Sequence, residues 1–495
     1  MKSIIRYISF ILLIFPVQSK TQQLSTLYFV REIHQSRIMN PAYPLNCRVY
    51  IGLPVVSSIN LDLKVPLSYN ELFSERTDQS NHVMDFDLVF DRLRRKNFVS
   101  VQTDIHLISL GYRYKKSSFT FDLTERLLVT AGIPRDVLFP LMGNANELFL
   151  GKASNLDGLG VNLNYYREYA LGWTYEPSKY VSFGIRPKVL FGKLNLDFRR
   201  TEIKLFTDST LDYITISSNS TIHSSLPINL EISNTGQVET FDFDNSVSLY
   251  KLVLNRENPG MALDFGMHYK PEDSPFNFYG SITDLGFIYW RTNPINIRQG
   301  GELKYSGPDE VRNVDESYFT DLLDSLQNEF LVNNTRDNYG IFLPFKIYLG
   351  TTWHITDRIF LGALSRTKYY KRTLSPSFTF SANTVIFKNL YSSVSYSYLN
   401  GSFKNVGIGM GFGTRNLQFY GLTDNALVFI PQEVRNVNIR FGMNMYFGCR
   451  PLHDVKNLGC IWIKEQDREY VMRRAELVRK GKRLKKLKKF KFFNE

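Results

Sequence analysis

The chain has 495 residues, of which 43% are hydrophobic and 14% aromatic, with 38 Phe and 29 Tyr against only 4 Trp. After Lys20 there is no apolar run of about 18 residues, which excludes helical membrane spans. The formal charge of +13 is unevenly placed: Lys2 and Arg6 bring +2, residues 464–495 bring +8, and residues 20–463 keep only +3, so the body of the chain has no nucleic-acid-binding character.

Lys2 and Arg6 precede an apolar core from Ile8 to Val17 and then Ser19, the layout of a secretory signal peptide over residues 1–19. That core is too short to cross about 30 Å of hydrocarbon. Residues 20–48 read as irregular, because Pro41 and Pro44 in Asn40-Pro41-Ala42-Tyr43-Pro44 forbid a regular strand or helix. An irregular segment ahead of a barrel is a candidate plug, with Asn40, Pro41 and Ala42 at its gate. A flexible periplasmic leader is the other reading.

The first strand signal runs from Val49 to Lys64, and strand signals then continue nearly to Phe447. Residues 70–100 are polar with little β-pattern, residues 135–152 read as partly helical, and residues 291–338 read as an insertion. That insertion carries an amphipathic helix with Tyr318, Phe319, Leu322, Leu323, Leu326 and Phe330 at helical spacing. Elsewhere apolar and small or polar residues alternate: Phe183 and Ile185 with Ser182, Gly184 and Arg186; Phe378 and Phe380 with Ser377, Thr379 and Ser381; Val394, Tyr396 and Tyr398 with Ser395 and Ser397. In Val437 to Phe447 the alternation is strict over 11 residues, the length a tilted membrane barrel strand needs. Short turn signals at Lys115-Lys116, Glu176-Pro177, Thr356-Asp357-Arg358 and Asn400-Gly401 imply an antiparallel meander. The reading is an all-β, antiparallel transmembrane β-barrel over residues 49–448, followed by a basic tail over 449–495.

Motifs for chemistry are missing. Gly407, Gly409, Gly411 and Gly413 recur at period two, which lines one face of a strand and does not make a phosphate loop. They describe a smooth face that admits a neighbouring backbone or the plug. The seven histidines are scattered, without metal-ligand or nucleophile spacing, so no catalytic residue, metal or cofactor is expected. Among the three cysteines, Cys449 and Cys460 could pair and leave Cys47 over; three unpaired cysteines is the other reading. The tail holds a basic cluster, Arg473, Arg474, Arg479, Lys480, Lys482, Arg483, Lys485, Lys486, Lys488 and Lys489, on a helix-compatible pattern suited to anionic lipid, peptidoglycan carboxylates or a periplasmic protein.

Six stretches carry a family likeness. They are Asn40-Pro41-Ala42; Asn258-Pro259-Gly260-Met261-Ala262-Leu263-Asp264-Phe265-Gly266; the run Ser281 to Trp290 with Asp284-Leu285-Gly286; Ser397-Tyr398-Leu399-Asn400; Thr423-Asp424-Asn425; and Arg435 to Gly442. In this order they resemble the outer-membrane barrel family known as domain of unknown function 5723 (DUF5723). That family is found mainly in Bacteroidota and is similar in design to long-chain fatty-acid transporters. The resemblance implies a barrel of about 14 strands with an N-terminal segment in the lumen, and no reaction. Read from their chemistry, Pro259, Gly260, Asp264, Gly266, Asp284, Gly286, Asp424 and Asn425 are barrel and turn features.

The expected protein is thus a non-enzymatic barrel of the bacterial outer membrane, embedded in its lipid and binding no nucleic acid. Its expected role is a channel or transporter for small or hydrophobic ligands with a plugged lumen. The alternative is a structural or assembly barrel that anchors a periplasmic or surface complex through its tail.

Overall fold

The computed structural model describes residues 25–449 except 76–81, 85, 140–150, 210–212, 233–237, 244–253, 255, 306–330, 357, 372, 387–389, 400–401, 415 and 427–433. The expected signal peptide, the amphipathic helix around Tyr318, Cys460 and the basic tail fall outside these residues.

The architecture is a closed antiparallel barrel of 14 strands. In ring order they start with β1 in two pieces (Cys47–Gly52 and Ile59–Lys64), β2 (Lys96–Tyr114), β3 (Ser117–Pro134), β4 (Gly160–Tyr175) and β5 (Val181–Thr207). Next come β6 in two pieces (Ile214–Ser225 and Asn258–Tyr269), β7 (Phe276–Trp290, continued by Ile295–Tyr305) and β8 (Phe345–His354, preceded by Leu331–Thr335 and Tyr339–Phe342). The ring is completed by β9 (Ile359–Tyr370), β10 (Thr373–Ile386), β11 (Leu390–Leu399), β12 (Ser402–Gly413), β13 (Leu417–Thr423) and β14 (Asn436–Cys449). Each strand pairs with its sequence neighbour, and β14 closes on both pieces of β1, with Cys47 opposite Cys449 and Ile59 opposite Phe441.

Closure follows from the alternation. On β11, Val394 is 51% exposed whereas Ser393 and Ser395 are buried; on β10, Phe380 is 64% exposed whereas Thr379 and Ser381 are buried. On β14, Ile439, Phe441 and Phe447 point out, while Asn438, Arg440 and Asn444 are buried within. Apolar residues on the outer face and polar ones within are what a barrel in lipid requires, since every ladder hydrogen bond is made between strands and no edge is left open.

The two rims differ. At one, consecutive strands are joined by connections of two to six residues, such as 115–116, 176–180 and 270–275; all the longer connections lie at the other. The short-turn rim carries outward aromatic rings, including Tyr112, Tyr114, Phe119, Trp173, Tyr175, Phe183, Phe276 and Trp353. Trp173 stacks on Tyr175 and Phe276 on Trp353. Such a girdle marks the headgroup level of a bilayer.

Several expectations need correction. Val49–Lys64 is interrupted at 53–58, where Pro54 lacks an N–H and Val55 sits at φ 66°. Both pieces of β1 nevertheless keep the same neighbours. β2 begins at Lys96, inside the stretch read as irregular. Residues 295–305 and 331–335, read as part of an insertion, are strands: the outer halves of β5 to β8 pair onward as a sheet that rises past the rest of the wall. Ile295, Ile297, Leu303 and Tyr305 alternate with Asn296, Arg298, Glu302 and Lys304, but Gln299, Gly300 and Gly301 break the pattern in mid-strand. Cys47, expected to be the odd cysteine, is disulfide-bonded.

At the long-connection rim a small apolar cluster of Leu67, Val89, Phe90, Leu93, Leu138 and Phe139 packs beside two short helices, α2 (Tyr69–Leu72) and α3 (Phe86–Arg92). Arg435, just before β14, holds this layer through Glu71, donating from Nε to Oε2 at 2.6 Å. Burial by itself raises the Glu71 carboxyl, but Arg435 and the Ser68 N–H and hydroxyl outweigh it and bring the pKa down to about 2.

Candidate functional site: the N-terminal segment and its seat

Residues 25–46 run within the barrel from the end of β13 to the short-turn rim. A short helix, α1 (Ser25–Phe29), is wholly buried and leans on β10 to β13. Its first turn is held by Asp424, whose carboxylate accepts from Ser25 N at 2.7 Å, Thr26 N at 3.0 Å and Thr26 Oγ1 at 2.6 Å. Thr26 lies against Gly407 and Gly409, where a β-carbon would collide with it. The period-two glycines of β12 are thus the smooth face the sequence implied.

Leu27, Tyr28, Phe29, Val30 and Ile33 then fill the lumen against Tyr279, Tyr348, Leu364, Tyr391, Tyr420 and Leu422 of the wall. Tyr28 stacks on Tyr348 at 5.6 Å between centroids, and Arg31 lies over the Tyr279 ring at 4.7 Å. Further down, Gln35 and Asn444 exchange amide hydrogen bonds of 2.7 and 3.0 Å, and Gln35 also donates to Tyr50 Oη.

Asn40, Pro41 and Ala42 form a tight turn, with Asn40 Oδ1 accepting from Ala42 N at 2.9 Å. The wall grips the backbone here. Ser281 donates to Met39 O at 2.6 Å, Thr174 to Pro41 O at 2.7 Å and Ser182 to Ala42 O at 2.8 Å. Gly184 and Gly266 face this turn, and a β-carbon on either would overlap the Pro41 carbonyl or the Asn40 amide. Two separate motifs, Asn40-Pro41-Ala42 and Gly266, therefore meet.

Opposite α1 the lumen carries a belt of charge on six neighbouring strands. Lys188 on β5 contacts Asp284 at 2.6 Å, Asp264 at 2.8 Å and Glu168 at 3.6 Å. Arg126 on β3 reaches Glu168 at 3.0 Å and Asp284 at 3.4 Å, Lys346 on β8 meets Asp284 at 2.7 Å, and Arg186 meets Asp122 at 3.0 Å. Four cations thus face four carboxylates, all within the wall.

Asp264 and Asp284 were read from sequence as turn features. They stand in mid-strand, where Asp264 Oδ1 accepts from Asp284 N at 2.7 Å across a bulge that leaves Asp284 at φ 62°. Pro259 and Gly260 open the second piece of β6, and Gly286 lies within β7 against Ala262. Asn425 follows β13 and donates to Asn436 O at 3.0 Å, which ties β13 to β14. The tail cluster lies outside the described residues.

Between segment and wall, two described cavities measure about 20 and 10 Å³; one is lined by His34, Arg37, His106 and Arg186, the other by Met39, Asp104 and Tyr348. Each has room for about one water, whereas a ligand pocket spans about 300–1,000 Å³.

A closed barrel with an apolar outer face, an aromatic girdle and a lumen lined by polar side chains is a transmembrane barrel of the outer-membrane type. The chain belongs to the family of unknown function DUF5723, whose model matches residues 41–424. Among curated proteins, none matches it. Among solved structures it is similar to the Pseudomonas putida toluene transporter TodX, at 10% identity and TM-score 0.35 over 87% of this chain and 94% of that one. The Ralstonia pickettii toluene transporter TbuX aligns at 9% identity and TM-score 0.38 over 83% and 93%, and a Pseudomonas aeruginosa FadL homologue at 9% and 0.34 over 84% and 94%. Overlays this weak carry no argument about ligand or mechanism.

Proposed function

We propose that the protein is a conduit of the bacterial outer membrane that its own N-terminal segment closes at rest. Residues 25–46 act as the plug, and Asn40, Pro41 and Ala42 are its fixed point. The short-turn rim faces the periplasm, as it does in barrels of this type. The observation that carries the reading is how the segment is held: the two described cavities beside it have room for about one water each, and its contacts are hydrogen bonds and ring packing, which exchange reversibly. Passage of a small or hydrophobic ligand therefore requires the segment to move.

The same small cavities also favour the second reading, a structural or assembly barrel that never opens and recruits peptidoglycan, anionic lipid or a periplasmic protein through Arg473 to Lys489.

The test is conductance in planar bilayers, comparing the mature chain with Asp424→Ala. A silent wild type and a conducting variant support the conduit. Silence from both, with periplasmic partners lost on deleting residues 464–495, supports the scaffold.

A further inference from the structure

The plug's seat reads a peptide main chain. Wall side chains from β2, β3, β4, β5, β7 and β13 bond backbone atoms of the segment, and Asp424 bonds two of its N–H groups as well as the Thr26 hydroxyl. Beyond the Ser281, Thr174 and Ser182 hydroxyls described above, Gln418 donates to Glu32 O at 2.8 Å and Arg113 to Leu45 O at 2.5 Å. Ser118 Oγ accepts from Leu45 N at 3.2 Å, and Asp424 takes both N–H groups that open α1. Contacts of this kind ignore sequence, since every residue except proline offers the same N–H and C=O. Selectivity comes from the wall rings of Tyr279 and Tyr348, which take Tyr28 edge-on and stacked, within a cluster that also holds Phe29, Tyr391 and Tyr420.

We infer that the ligand class of the conduit is a peptide segment carrying aromatic side chains, which takes the place of residues 25–46 when the plug withdraws. The inference rests on the plug reading proposed above. An aliphatic chain would leave these hydroxyl, amide and carboxylate groups buried without partners, which is costly. A peptide satisfies them as the resident segment does. The resident segment is tethered and competes at an effective concentration in the millimolar range, so the seat is closed to outsiders until its latch is weakened.

The experiment uses the full mature chain in nanodiscs, as wild type and as Tyr28→Ala, which weakens the resident segment and leaves every group of the seat in place, with fluorescence anisotropy of two labelled peptides. One is residues 25–46; the other is an unrelated peptide of equal length and equal aromatic content. Both should bind the variant at least about 10-fold more tightly than wild type, because weakening the latch raises the vacant fraction. Dodecanoate and maltoheptaose should displace neither. Asn40→Ala, which removes the bonds to Met267 O and Ala42 N from the segment's own side, should give the same gain, and heat-modifiable gel mobility reports that each variant is folded. Binding of the 25–46 peptide alone would make the seat a private latch and overturn the inference, as would displacement by dodecanoate or maltoheptaose, or no binding at all. Conductance through Tyr28→Ala without peptide binding would retain the conduit and discard its peptide ligand.

Discussion

The Asn40 side chain occupies the space that a β-carbon at residue 266 would need. Asn40 Nδ2 donates to Met267 O at 3.3 Å, and Gly266 alone leaves room for the amide to come so close.

Gly266→Val should therefore unseat the turn at a cost of about 1–3 kcal/mol, the usual range for overpacking. Trypsin is the readout, since Arg31 and Arg37 lie within the seated segment. The variant should be cut there while its barrel still shifts mobility on boiling. Resistance equal to wild type would show that the fit at Gly266 does not hold the segment.

Lys188→Met should be the most damaging single change in the charge belt. Its ammonium serves Asp264, Asp284 and Glu168 at once, and stranding buried carboxylates costs about 3–5 kcal/mol. The temperature at which the folded gel band disappears should fall, and adding Asp264→Asn should restore part of the loss. A Lys188→Met midpoint matching wild type would mean that lumen water screens these charges.

The rim layer should respond to acid. Glu71 has a folded pKa of about 2, below its ordinary value of 4.5. Its tie to Arg435 is thus fully present above pH 4.5 and is lost as the pH falls toward 2. Amide exchange over Tyr69–Phe73 should be unchanged between pH 7 and pH 5.5, faster at pH 3 after correction for intrinsic rates, and faster at pH 7 in Glu71→Gln. The pair is half-exposed, so the effect is local opening and not global unfolding. Equal protection at pH 3 and pH 7 would rule the tie out.

Cys47 is disulfide-bonded and faces Cys449 across the seam between first and last strands. Thiol labelling of the unreduced, denatured protein should find one reactive cysteine. Cys449→Ser should free Cys47 to react, whereas Cys460→Ser should leave no reactive thiol. Release of a thiol by Cys460→Ser would reassign the pairing.

Much of the wall was legible because alternation encodes it directly. Ser393, Ser395 and Ser397 face in, Val394 and Tyr396 face out, and the closing strand from Val437 to Phe447 has the length and pattern of a lipid-facing stave. The outer parts of β7 and β8 were not legible, since Gln299 to Gly301 break the apolar face of one and Asn333 to Thr335 leave the other polar. The charge belt was missed for another reason. Glu168, Arg186 and Lys188 sit at inward positions of well-patterned strands, but nothing local shows that carboxylates and cations from six strands converge. Asp264 and Asp284 looked like turn residues because each is two residues from a glycine; here that pairing marks a bulge between strands.

The bond from Ser25 to Asp424 spans 399 positions of sequence. The segment is synthesised before the wall strands, yet its latch, the β12 face and the Gln35 partner on β14 are the last parts of the wall to be made. Residues 39–45 can meet β2 to β7 early, but α1 can be seated only once β12, β13 and the Asp424 that follows them are in place. The seated segment thus certifies a finished barrel, and any factor that recognises residues 25–46 in their free form would distinguish unfinished chains from complete ones.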